Sequence, residues 1–124
     1  MADYKPNLGA SQAAARALRV RADKPSSQRG MTPVGIARAR DIKNRANLSV
    51  ETVRRMLGFF SRHLVDKQGK TWGEQGKGWQ AWHGWGGDAG ARWAIRRLRS
   101  SDKEWFEAWA ESPRNKALMR HLSK

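Results

Sequence analysis

The side chains best equipped for chemistry in this sequence are arginines. Arg92, Arg96, Arg97 and Arg99 fall within eight positions. Arg92 and Arg96 stand four residues apart, which places them on one helix face with Arg99 beside them. Guanidinium groups grip phosphate or carboxylate oxygens with paired N–H donors. Arg38 with Arg40, and Arg54 with Arg55, extend the set. These residues, Arg38, Arg40, Arg54, Arg55, Arg92, Arg96 and Arg97, are the expected contacts to nucleic acid or another polyanion. The charge balance agrees: 25 lysines and arginines face 11 acids, a net charge of +14. Such a surplus repels itself unless something anionic lies near.

Acid–base chemistry is poorly supplied. His63, His83 and His121 lack metal-ligand spacing, and the chain has no cysteine. Disulfides and thiolate metal sites are therefore excluded, which fits a reducing compartment. A lone histidine on a helix is more often structural than catalytic. The glycines of GWGGDAG lack a preceding strand, and no phosphate loop with its lysine and hydroxyl is present. Asp66 and Glu74 have no visible partner, and Asp88 reads as a helix cap. The expectation is a protein that is not an enzyme, with no catalytic residue, metal or cofactor.

The elements that carry the arginines are organised around residues 71–94. Five of the seven tryptophans and seven of the twelve glycines fall there. A short chain does not leave five indoles in water, given the apolar area each offers. Trp79, Trp82 and Trp85 recur every third residue, along one side of a short helix. Gly86-Gly87 ends that helix, because glycine accepts the left-handed conformation. Trp79, Trp82, Trp85 and Trp93, joined by Phe60, are the expected structural core.

Before this corner, residues 11–23 form an alanine- and arginine-rich helix. Its apolar stripe of Ala14, Leu18 and Ala22 is thin, so it packs weakly or folds onto a partner. Residues 24–30 have linker composition. Thr32-Pro33 opens a helix over 33–43, with Val34, Ile36, Ala37 and Ile42 available for burial. Ser49 caps a strongly amphipathic helix over 50–63, where Val53, Met56, Leu57 and Phe60 repeat at i, i+3, i+4 and i+7. A short-turn helix pair in a basic chain invites a helix-turn-helix reading. The second helix lacks a run of polar side chains to read base edges, so ordinary packing is the better account.

Residues 66–78 read as a loop pinned by Trp72. The flanking Lys67, Lys70 and Lys77 also leave open a base-stacking, phosphate-binding role. After the corner comes an arginine-rich helix over 89–99. Ser101 and Glu104 then have capping-box spacing. Trp105, Phe106 and Trp109 follow, and Ser112-Pro113 opens a last helix ending near Leu122. The sequence thus predicts an all-α, compact bundle of five to seven short helices around a Trp/Gly-rich corner. Its expected parts are a basic N-terminal arm with a short helix (1–30), a helical core domain (31–100) and a C-terminal helical hairpin packed on that core (101–124). No apolar run is long enough to span a membrane, and the amino-terminal residues do not have the pattern of a leader.

Three segments carry a resemblance: GMTPVGIARARDIKN, LSVETVRRMLGFFSRHLVDKQGKTW and GKGWQAWHGWGGDAGARWA. Together they resemble a small domain encoded by tailed bacteriophages, free-standing or attached to phage structural proteins. The likeness covers residues 30–94, about half of the chain. The family pattern often has an acid where this chain has Leu64, and no catalytic residue is carried over. The resemblance implies a phage protein, and the attachment of similar modules to head proteins favours the virion, with a larger head or capsid structural protein as partner; the net positive charge adds DNA as a further one. The alternative is a nucleic-acid-binding phage protein without sequence preference, acting in the infected host.

Overall fold

The structure, a computed structural model, describes residues 4–124. Residues 1–3, with which the expected N-terminal arm and its amino-terminal pattern begin, lie outside the described residues. All regular structure among the described residues is helical, as the patterning predicts. Seven α-helices follow in order: α1 (Leu8–Asp23), α2 (Pro33–Lys43), α3 (Val50–His63), α4 (Lys77–Gly84), α5 (Gly87–Ser101), α6 (Lys103–Ala110) and α7 (Pro113–Leu122). Side-chain caps fix the first three. Asn7 accepts from the Ala10 N–H, Thr32 from Gly35 and Ser49 from Thr52, each satisfying a donor the helix leaves over.

The core is aromatic at its centre. Trp82, Phe60, Met56 and Leu57 have no exposed surface. The Phe60 ring meets the Trp82 ring edge-on at 4.8 Å, and Phe59 stacks on Trp85 at 5.4 Å. Trp93 is also buried, whereas Trp85 is partly covered against the core. Trp79 departs from the expected core and sits at its rim, stacked on His83 at 4.2 Å. The helix period explains this: a three-residue step falls short of a full turn by about 60°, so Trp79 and Trp85 diverge to either side of Trp82.

Helix α1 differs most from expectation. It packs on α2, α4 and α5 rather than lying loosely at the edge. Its buried face is Ala10, Ser11, Ala13, Ala14 and Ala17, while Leu18 is only half-buried and Ala22 is exposed. Small residues here permit close approach instead of offering apolar bulk. A β-carbon added at Gly9 would lie 2.9 Å from that of Ala89, so the two backbones almost touch. Gly86, at φ 112°, turns the chain from α4 into α5 directly beneath Ala10. On α2, Ala39 and Ile42 are buried, but Val34 is 57% exposed and Ala37 is exposed too.

Two connections that read as linker and loop are tied down by one side chain. Gln80, fully buried on α4, accepts from the Gly30 N–H at 2.7 Å. Its amide donates to the Gln28 and Gln75 carbonyls at 3.1 and 3.0 Å. Residues 66–78 contain 3₁₀ turns over Leu64–Gln68 and Trp72–Glu74 rather than an extended loop. Trp72 pins them, meeting Trp82 edge-on at 6.3 Å. The capping box near α6 does not form. Ser101 Oγ instead donates to the Arg97 carbonyl at 2.6 Å and lies 2.8 Å from the Tyr4 hydroxyl.

Candidate functional site

The seven arginines are distributed over three helices. Arg38 and Arg40 lie on α2, Arg54 and Arg55 on α3, and Arg92, Arg96 and Arg97 on α5. Several already have partners inside the protein. Arg38 pairs with Asp41 at 2.5 Å and Arg54 with Asp102 at 2.7 Å. The Arg92 Nε donates to the Leu122 carbonyl at 3.0 Å. Arg97 lies over the Tyr4 ring, 5.6 Å from its centre. Arg40, Arg55 and Arg96 are exposed and have no carboxylate partner among the described residues. Arg92, Arg96 and Arg99 line a shallow groove between α5 and α7 with Ile95 and Met119 on its wall, about 200 Å³ in volume. Of the seven expected arginines, Arg92 and Arg96 thus share one groove, while Arg54 lines a different one, with Tyr4 and Asp102.

A polar clasp holds the tryptophan corner. Lys67 Nζ donates to Asp88 Oδ1 at 2.7 Å and to His121 Nε2 at 2.9 Å. The Trp82 Nε1–H donates to the same Asp88 oxygen at 2.9 Å. The ammonium also lies 4.8 Å from the Trp82 ring centre and 5.9 Å from that of Trp72. Asp88 is therefore not the cap of α5; Gly86 occupies that position. Its carboxylate still sits in the first helical turn, where the helix dipole favours negative charge. Lys67 thus joins the turn after α3, the start of α5 and the end of α7.

The titrations of this region share one sign. Burial pushes the His83 pKa down, only partly opposed by the bond its Nδ1–H donates to the Trp79 carbonyl at 2.8 Å. Burial and then the Lys67 charge lower that of His121. Burial alone would raise the Asp88 carboxyl, but the hydrogen bonds from Lys67 and Trp82 outweigh it and leave the group below its ordinary value. When pH falls through about 6.5, the unfolded chain protonates both histidines while the folded chain resists, so stability drops. Asp88 adds a further loss at lower pH, as its folded carboxyl is forced to protonate. The melting temperature is expected to be lower at pH 5 than at pH 7.5. The His83→Phe variant, which keeps a flat ring but cannot titrate, should show a smaller difference between the two. An equal or larger difference in that variant would contradict the assignment.

A second pair was not visible in the sequence. The His63 Nδ1–H donates to Asp66 Oδ2 at 3.0 Å. The His63 ring stacks on Phe59 at 4.6 Å with 26° between planes. The three-residue spacing spans the end of α3 and the turn after it, so only the turn's geometry reveals the contact. A groove of about 560 Å³ runs alongside, walled by His63, Arg62, Arg29, Lys77, Met31 and Trp85. Among the described residues no cluster of His, Asp or Glu could hold a metal ion, and no helix is long and apolar enough to cross a membrane. Comparison with family models, curated proteins and solved structures finds no match.

Proposed function

We propose that the protein is a non-enzymatic accessory of a bacteriophage particle, setting exposed arginines against a polyanion, either packaged DNA or an acidic face of a head protein. The observation that carries the reading is charge left unmatched at the surface. The chain bears +14, and Arg40, Arg55 and Arg96 stand in solvent without a carboxylate partner among the described residues. The resemblance over residues 30–94 supplies the phage context and the head or capsid protein as partner.

A DNA titration across salt concentrations tests the reading. Affinity should fall steeply with salt, by a log–log slope of about 0.9 for each phosphate neutralised. Replacing Arg40, Arg55 and Arg96 together by alanine should lower that slope by about 2 to 3, if each meets one phosphate. Melting should barely change, because exposed side chains away from packing contribute about 0.5 kcal/mol or less. Negligible DNA affinity at low salt would remove DNA as the partner, and absence from purified particles by mass spectrometry would remove the virion role. DNA binding together with that absence would favour a nucleic-acid-binding protein of the infected host.

A further inference from the structure

We propose that the groove beside His63 binds a nucleotide unit, stacking its base on the His63 ring and holding its phosphate between Arg62 and Lys77. None of Arg40, Arg55 and Arg96 lines this groove, so the inference goes beyond the reading above and can fail without it. Four observations converge on it.

The first is a series of near-parallel rings. Trp85 stacks on Phe59 at 22° and Phe59 on His63 at 26°. The series ends in the groove at His63, whose side chain is 42% exposed. Asp66 holds that ring at Nδ1, so it is a fixed flat surface rather than a swinging side chain. A nucleobase is the flat group such a surface suits, since histidine is among the rings on which unstacked bases settle.

The second is the charge around it. Arg29, Arg62 and Lys77 line the groove with His63, and the single carboxylate among the lining residues, Asp66, is already engaged by His63. Arg29 is pre-positioned: its Nε donates to the Lys24 carbonyl at 2.9 Å and one terminal nitrogen to that of Ala22 at 3.2 Å. Arg62 and Lys77 are exposed, with no carboxylate partner among the described residues. The third is size. A volume of about 560 Å³ falls within the roughly 300–1,000 Å³ of small-molecule sites and suits one nucleotide rather than a duplex. The fourth is the apolar side of the groove, to which Met31, Ala81 and Trp85 contribute.

Because Trp85 lines the groove, tryptophan emission reports occupancy. The probes are a short single-stranded oligothymidylate, thymidine monophosphate and inorganic phosphate, at fixed moderate salt. Saturable quenching is expected with a nucleotide-bearing probe. Quenching by the monophosphate identifies a free nucleotide as sufficient; quenching by the strand alone identifies a nucleotide within a chain. His63→Ala should weaken binding about tenfold, the scale of one lost base–ring stack, and His63→Phe should restore most of it. Arg62→Ser combined with Lys77→Ser, both exposed and so tolerable to the fold, should weaken it by a similar factor. Arg96→Ala, on another surface, should leave it within about twofold. The inference is overturned if inorganic phosphate competes as well as the nucleotide, if His63→Phe fails as fully as His63→Ala, or if Arg96→Ala weakens binding as much as the groove variants do. Intact groove titration in a variant that no longer binds duplex DNA would separate this site from the exposed arginines.

Discussion

Trp82→Ala is expected to lower the unfolding free energy by about 3–5 kcal/mol, the usual range for deleting a large buried aromatic side chain. Domains of this size are stable by only about 5–15 kcal/mol, so the variant should melt far below the parent or fail to fold. The size of the effect follows from how many elements meet the ring. Trp82 has no exposed surface, receives Phe60 and Trp72 edge-on, lies under the Lys67 ammonium and donates to Asp88. A second variant separates packing from the polar bond. Trp82→Phe keeps most of the bulk but removes the donor, and should cost on the order of 2 kcal/mol, typical of a hydrogen bond to a charged group. Chemical denaturation of both proteins measures the two terms. If Trp82→Ala changed stability by no more than about 1 kcal/mol, the ordinary effect of a substitution, Trp82 would not be the centre of the core.

What the sequence disclosed, and what it withheld, follows from how far apart the interacting residues lie. Helix starts at Pro33 and Val50 were legible because a capping side chain and the N–H that donates to it are three residues apart. The all-α class and the burial of Trp82, Trp93 and Phe60 were legible because hydrophobic periodicity is a local signal. The role of α1 was hidden because its face is alanine, which a hydrophobicity reading counts as weak. What matters there is closeness to Gly86 and Ala89, some eighty positions away. Asp88 has the sequence context of a cap, following two glycines, whereas its partners in the structure are Lys67, 21 positions back, and Trp82. The arginines are legible as a set. Which of them the protein itself occupies, as with Arg54 on Asp102, depends on a contact across 48 positions that no spacing rule reaches. His63 and Asp66 show the remaining difficulty: three residues separate them, but the helix ends between them.

Breaking the clasp at Lys67 should have the second largest effect, and here two partners can be removed independently. Lys67→Met leaves Asp88 with the Trp82 indole as its bond donor and takes the proton donor away from His121. Asp88→Asn leaves an ammonium over two indoles with its counter-charge gone. Removing one partner of a fully buried pair costs about 3–5 kcal/mol. The Lys67 and Asp88 side chains are 20% and 37% exposed, so water screens part of that, and a loss of about 1–3 kcal/mol for each single variant is expected. The double variant should cost less than the sum of the singles, with a coupling of about 1 kcal/mol or more. Strict additivity would mean that the pair is solvent-screened and that the ring contacts of Lys67 dominate instead. One readout isolates the electrostatics from packing. Lys67 is one of the causes that lower the His121 pKa, so Lys67→Met should move the His121 titration, followed by proton NMR, to higher pH. Asp88 acts on His121 in the opposite sense, so Asp88→Asn should move it lower. Opposite shifts in the two variants would place lysine, carboxylate and imidazole in one network across three elements; shifts of the same sign would break it apart.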